Sequence, residues 1–375
     1  MTSPNVVDPY GDDPVPETAP VRRGEDLNWE VIEDFLRQEL PDDVDASGSF
    51  MVQQFPNGAA NLTYLISFGE TELVLRRPPF GRLAPGAHDM AREYKVLSRL
   101  WKIFPKAPRA FVFTDDASIA GSDMFVMERR SGEVIRGVIP HSMRHHVDLG
   151  RRIGFALTDA ISEFHLLDPS DVGLENLGKP DGFAERQVRG WKKRWDLVTD
   201  ERYDAIMGEI YRKLSDSIPT PQRVSFVHND LKLDNCMFRP DNPDEVEAIF
   251  DWDMTTLGDP LIDLGTLLNY WPDPDDDPEV TRGGHDGLGS VGLPKRSEIV
   301  EHYAQVSGLD LSRIGWYEAF GQWKTATVLQ QLHYRWKVGD SKDERMALIA
   351  DALPKFTETA LSLLCLLYTS PSPRD

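Results

Sequence analysis

Hydrophobic positions change their period twice along the chain, and the changes divide it. From Asn28, apolar side chains at Trp29, Ile32, Phe35, Leu36 and Leu40 recur at helical spacing until Pro41, which predicts one helix. Ser49 to Phe55, Leu62 to Phe68 and Glu72 to Arg76 then read as extended runs. They are separated by Asn57-Gly58-Ala59-Ala60-Asn61 and by a Gly69-Glu70 turn, which predicts hairpins. Met90, Tyr94, Leu97 and Trp101 return to helical spacing, and Phe111 to Thr114 and Met124 to Glu128 are short β-prone runs. The predicted order is three strands, a helix and two strands.

Past residue 130 the pattern is mainly helical. Ile153, Ala156, Leu157, Ala160, Ile161 and Phe164 form one apolar stripe. Trp191 to Ile218 predicts one further helical region. Ser225 to Val227, Cys236 to Phe238 and Val246 to Phe250 are short strand-like runs around a dense cluster of Asp, Asn and His. A helix beginning at Asp263 fails at Pro272, an acidic Gly- and Pro-rich loop runs from Asp273 to Pro294, and Ser297 to Val306 and Leu311 to Trp336 are helical again. Residues 1–24 have no apolar period and are expected to be a disordered tail. Residues 365–375 are expected to be a non-native or disordered tail, because no helix continues past Pro371.

Composition narrows the function classes. The 375 residues are 40% hydrophobic and 10% aromatic, enough for a substantial core and against disorder in the bulk of the chain. The 41 Lys and Arg face 62 Asp and Glu, a net charge of −21. Such a surface does not attract nucleic-acid phosphates or anionic membranes as a whole, so neither is expected as a partner. The longest apolar stretch, Ala360 to Tyr368, is too short for a bilayer. The N-terminus carries Asp and Pro where an export signal needs a basic and then an apolar run, so a cytoplasmic location is expected. Two cysteines, Cys236 and Cys365, supply neither a disulfide framework nor a four-ligand zinc site.

The candidate chemistry lies in His228-Asn229-Asp230-Leu231-Lys232-Leu233-Asp234-Asn235 and in Phe250-Asp251-Trp252-Asp253. Carboxylates and an amide carbonyl between short apolar strands suit a hard divalent cation, because Mg²⁺ takes oxygen ligands and needs few of them from protein. A further Asp can orient a hydroxyl. Lys232, two positions on in an extended segment, points to the same side as Asp230. The Asp-x-x-x-x-Asn spacing is that of kinase catalytic loops.

These segments, with Thr255-Thr256-Leu257-Gly258-Asp259-Pro260-Leu261-Ile262-Asp263-Leu264 and Val74-Leu75-Arg76-Arg77-Pro78-Pro79, resemble the aminoglycoside phosphotransferase-like branch of the protein-kinase-like fold. Within it the nearest likeness is to the kinase-like domain fused to some acyl-CoA dehydrogenases. The resemblance implies an α+β, two-lobed fold. A small antiparallel-sheet lobe spans residues 25–129, and a mainly helical lobe, 130–364, carries the catalytic loop and the acceptor site. It implies ATP and Mg²⁺ as cofactors and a small-molecule hydroxyl as acceptor, hydroxyacyl-CoA-like rather than an aminoglycoside. By the same resemblance Asp230 is the base, Lys232 balances charge, and Asn235 and Asp251 hold Mg²⁺ with help from Asp253. Asn57, Gly58, Ala59 and Asn61 cover the phosphates, Arg76 paired with Glu93 clamps them, and Met127 and Glu128 offer backbone groups to adenine. His228 braces the loop, and Asp259 and Asp263 cap the next helix.

Two positions depart from the family pattern: Arg76 stands where a strand lysine is usual, and Asn229 where many relatives have Gly. Arg76 keeps an alternative open, a catalytically weak nucleotide-binding module, and a metal-dependent phosphohydrolase is a third reading. Several other features have plainer explanations. His165 on an apolar face is expected to be a satisfied core histidine, His145 and His146 to be loop residues, and Cys236 to be a small buried hydrophobe. The acidic run from Asp273 to Asp277 is expected to be a solvated loop.

Overall fold

The computed structural model describes residues 17–56, 61–81, 89–273, 275–276, 288, 291–341 and 343–369. Helix α1 (Trp29–Glu39) precedes strands β1 (Phe50–Gln54), β2 (Leu62–Phe68) and β3 (Thr71–Arg77). Then come α2 (Met90–Leu100), β4 (Ala110–Thr114), the single turn α3 (Ala117–Ala120) and β5 (Met124–Glu128). These five strands form one antiparallel sheet in the order β1-β2-β3-β5-β4. Alternation along β3 divides its side chains between the two faces. Leu73 and Leu75 join the cluster under α1, with Ile32, Leu36, Tyr64 and Ile66, while Val74 joins Met90, Val96 and Leu97 of α2 in the larger core. Arg76 shares its parity with Val74 and so faces α2.

The rest of the chain is built on helices. After β6 (Glu133–Val134) come α4 (Leu149–Leu166), α5 (Phe183–Asp196) and α6 (Asp204–Asp216). Strands β7 (Ser225–Val227), β8 (Cys236–Phe238), β9 (Val246–Ile249) and β10 (Thr256–Gly258) follow. Helices α7 (Leu261–Tyr270), α8 (Arg296–Ser307), α9 (Ile314–Lys337), α10 (Arg345–Leu348) and α11 (Leu353–Thr369) complete it. Two antiparallel pairings fix the site. Strand β7 pairs with β10, and β8 with β9, Cys236 lying opposite Ile249. The segment from 228 to 235 leaves β7 for β8, and the segment from 250 to 255 leaves β9 for β10. The two chemistry-bearing loops are therefore adjacent.

Three expectations need correction. The single helical region from Trp191 to Ile218 is two helices, α5 and α6. Between them the Asp200 carboxylate accepts from the Arg202 backbone N–H at 3.0 Å, a local bond that competes with helix propagation. The described part of the N-terminal tail, from residue 17, lies against the sheet: Ala19 bridges to Gln54, and Arg22 N–H donates to Gln54 Oε1. At the other end α11 continues through Cys365 to Thr369. Among the described residues no helix is long and apolar enough to cross a membrane.

Candidate active site

Arg76 and Glu93 meet because strand and helix each place one side chain between β3 and α2. Arg76 Nη1 lies 2.7 Å from Glu93 Oε1, with Glu93 fully buried and the Arg76 side chain 11% exposed. Arg77, next along β3, is on the other face, over the Phe80 ring. Burial pushes the Glu93 carboxyl up, and the Arg76 charge opposes this. Arg76 Nη2 also reaches Asp251 Oδ1, at 3.2 Å. One guanidinium thus joins the small lobe's helix to the large lobe's 250–255 turn.

That turn is shaped by backbone strain and an aromatic anchor. Asp251 has φ 70° and ψ 59°, left-handed for a non-glycine residue. Trp252 is fully buried; its Nε1 donates to Ile249 O at 2.6 Å, and its ring meets Phe164 and His228 edge-on. Pinning Trp252 fixes the backbone on which Asp251 and Asp253 sit on either side of it in sequence. Asp253 is pushed up to about 6, first by burial and then by the Asp251 carboxylate. Arg76 and the Met254 N–H offset this in part, and the two carboxylates form an oxygen-donor pair.

The 228–235 loop is held at every turn. Asp230 Oδ2 accepts from Asn235 Nδ2 at 3.1 Å and lies 3.2 Å from Lys232 Nζ. Asn235 Nδ2 also donates to Asp230 O at 2.8 Å, so Oδ1 is the Asn235 atom with lone pairs for a cation. Burial disfavours the Lys232 ammonium, but Asp230, then Asp234, outweigh it and raise its pKa. His228 Nε2 donates to Phe250 O at 2.9 Å, tying the two loops together, and its Nδ1 accepts the Asp230 N–H at 3.3 Å. Asn229, left-handed at φ 70°, donates its amide to Met254 O at 2.9 Å.

Beneath the loop lies a buried relay. Asp263 Oδ2 accepts the His228 N–H at 2.6 Å and Oδ1 accepts the Asn229 N–H at 2.7 Å. His165 Nε2 donates to Asp263 Oδ2 at 3.1 Å, and its Nδ1 accepts the Tyr303 hydroxyl at 2.8 Å. Burial raises the Tyr303 pKa, which keeps that hydroxyl a donor. Asp263 therefore anchors the 228–235 loop and does not cap a helix, because its oxygens accept the loop amides. Asp259 does act at the start of α7: its carboxylate accepts Leu261 N–H at 3.1 Å and the Tyr317 hydroxyl at 2.6 Å. His165 is the satisfied core histidine that its apolar surroundings suggest. Cys236 is buried, and burial raises its thiol pKa, which leaves it inert.

The remaining expected site residues divide. Asn57, Gly58 and Ala59 lie outside the described residues; Asn61 is buried at the start of the sheet region. Met127 is a buried strand residue opposite Val74. Glu128 N–H donates to Arg109 O, just before β4, at 2.8 Å, so this amide is engaged within the protein. One functional candidate escaped the sequence reading. Lys324 on α9 donates from Nζ to Asn229 O at 2.6 Å and is 9% exposed. Its only sequence signal was a charge inside a helix stretch with no polar face. Among the described residues no group of three or more His, Cys, Asp and Glu forms a ready metal cage.

Comparison with known proteins agrees with this geometry. Residues 52–299 match the model of the phosphotransferase enzyme family. The chain is 31% identical over 355 residues to acyl-CoA dehydrogenase family member 11 from Mus musculus, covering 92% of this chain and 44% of that protein. It spans less than half the length of the curated relatives it matches. A crystal structure from Ralstonia eutropha, provisionally assigned as an aminoglycoside phosphotransferase, superposes with TM-score 0.75 at 25% identity, covering 91% of this chain and 99% of that one. The aminoglycoside phosphotransferase APH(4)-Ia, solved with AMP-PNP and hygromycin B, gives TM-score 0.56 at 13% identity over 91% of this chain and 99% of its own. The fold is the two-lobed kinase-like fold that the motif order implies.

Proposed function

The chain belongs to the phosphotransferase enzyme family, and on that premise we propose that it transfers the γ-phosphoryl group of ATP to a hydroxyl of a small molecule. The observation that carries the reading is the Arg76 bridge. A single guanidinium contacts both Glu93 of α2 and Asp251, whose turn is tied through His228 to the loop bearing Asp230. Charge for phosphates and a carboxylate for the attacking hydroxyl are thus linked across the junction between the lobes.

The roles follow from what each atom has left to offer. Asp230 Oδ2 is engaged by Asn235 and Lys232, which leaves Oδ1 to accept the proton of the acceptor hydroxyl. Lys232 balances the charge that develops beside it. Arg76 has a planar fork able to hold phosphate oxygens bidentately, so it serves in place of lysine. Asn235 Oδ1 and Asp251 would hold Mg²⁺, with Asp253 assisting. When bound, that cation supplies positive charge to the phosphate oxygens. Positioning and electrostatics supply most of the rate.

The acceptor is a hydroxylated acyl-CoA or a similar anionic metabolite. The relatives' name, acyl-CoA dehydrogenase family member, points that way. So does local charge: Lys232 lies 3.2 Å from Asp230, and Arg194 lies over the Trp191 ring on the Lys324 side of the loop. The acidic run offers a polycation little, because Asp276 pairs with Arg296 and Asp275 with Lys295, each at 2.7 Å.

The test is incubation of the purified chain with labelled ATP, Mg²⁺ and a metabolite extract, followed by mass spectrometry. Label is expected in a phosphorylated hydroxy compound, and Asp230→Ala is expected to lower its formation by about 1,000-fold while nucleotide still binds. Unchanged turnover in a folded Asp230→Ala protein would overturn the assignment.

A further inference from the structure

Helix α9 crosses α7 at very short range, since a Cβ on Gly321 would sit 2.8 Å from Gly265 O. This crossing brings the next turn of α9 against the catalytic loop. Lys324 is the one charged side chain among the buried residues of α9. Its Nζ donates to Asn229 O at 2.6 Å and lies 5.6 Å from the centre of the Trp191 ring. The charges facing it are Asp230 and Asp263, which attract it, and Lys232 and Arg194, which repel it. Among the described residues it forms no direct ion pair.

A buried ammonium without an adjacent carboxylate is strongly unfavourable, and a neutral amide or hydroxyl would satisfy one carbonyl as well. Gln322 and Thr325, on the same helix, show that α9 carries such groups. The location of the carbonyl explains the charge. Asn229 O belongs to the peptide that enters Asp230, and Asn229 is the left-handed residue of the loop. The Asp263 carboxylate takes the Asn229 N–H on one side, and Lys324 takes the C=O of the same residue from α9.

We propose that Lys324 is a positioning residue for phosphoryl transfer, clamping the Asn229–Asp230 peptide and placing a positive charge behind the Asp230 carboxylate. The inference rests on the reading of Asp230 as the base. Lys324 acts through Asp230 and leaves nucleotide binding to the opposite lobe. Burial works against the ammonium, and the Asp230 and Asp263 carboxylates oppose that loss, so what favours the charge is the pair of carboxylates on either side of the loop.

The experiment uses the full chain with Mg-ATP and water as acceptor, reading ADP release under saturating ATP, affinity for a fluorescent ATP analogue, and the thermal melt. Lys324→Met is expected to bind the analogue within about twofold of wild type while turnover falls about 100-fold. Lys324→Arg, which keeps donor and charge, is expected to recover at least about tenfold of that loss. Wild-type turnover in Lys324→Met, or a Lys324→Arg protein as slow as Lys324→Met, would overturn the inference and leave the phosphotransferase reading intact. If Lys324→Met does not fold, Lys324→Gln replaces it with the same thresholds, since it keeps a donor and removes only the charge. A wild-type chain that neither binds the analogue nor releases ADP would overturn the phosphotransferase reading, and the role of Lys324 with it.

Discussion

The two lobes secure their functional charges by opposite means. In the small lobe, a strand register and one helix deliver a buried ion pair, Arg76 with Glu93, whose one further side-chain contact among the described residues is Asp251. In the large lobe, Asp230 sits in a net of directional bonds from His228, Asn229, Asn235, Asp263 and Lys324, drawn from both loops and from α7 and α9. The pair is held by packing around it and can open toward a ligand. The net is held by its own hydrogen bonds and cannot lose a member cheaply. The contrast teaches that charge and fold stability are separable in the small lobe's pair and inseparable in the large lobe's net.

The largest effect is expected in the net. Asp263→Ala strands the His228 and Asn229 amides and His165, and should destabilise the chain by about 4 kcal/mol in urea unfolding. A loss below about 1 kcal/mol would remove the contrast between lobes. Next comes the pair. Arg76→Met or Glu93→Leu alone leaves one buried charge uncompensated, at a cost of about 3 kcal/mol, whereas the double variant should fold nearly as stably as wild type. All three should bind an ATP analogue about tenfold or more weakly, by fluorescence titration. A double variant as unstable as the sum of the singles would show that the pair, like the net, is essential to the fold.

A pH series sharpens the same point. Burial raises Glu93 to about 7 from an ordinary 4.5, with Arg76 opposing. The folded state then binds the proton more tightly than the unfolded chain. Its contribution to stability is full below 4.5 and is lost as pH rises through about 7. Melting profiles should show wild type losing up to about 3 kcal/mol across that window relative to Glu93→Gln. A flat difference would place Glu93 in its ionised form throughout. The smallest effect is the control: the Arg151–Glu298 contact is exposed on both sides, and Arg151→Ala should change stability by less than about 0.5 kcal/mol.

Much of this was legible before any coordinates. Asp230, Lys232 and Asn235 could be grouped because they sit within one short loop, where spacing alone fixes proximity. Arg76 with Glu93 was implied by the family resemblance, and alternation along β3 explains why the Arg76 side chain faces α2. The break between α5 and α6 was hidden because Asp200 competes for a backbone amide that hydrophobic periodicity does not record. Asp263 looked like a helix cap because its sequence neighbours start a helix, while its actual partners lie 34 and 35 residues away. The partner of the Glu128 amide was hidden for the same reason, because the Arg109 carbonyl that accepts it lies 19 residues away in sequence.

What the sequence determined by itself was local: the period of each element, the turn chemistry between them, and the clustering of oxygen donors between residues 228 and 253. Tertiary structure decided which of those donors remain free and what lies behind them. The physical reason is that periodicity is a property of neighbours along the chain, whereas hydrogen bonds and charge act between groups that only packing brings together. Lys324 lies 95 positions from the carbonyl it holds, and its place beside Asp230 is set by two glycines that let α7 and α9 touch.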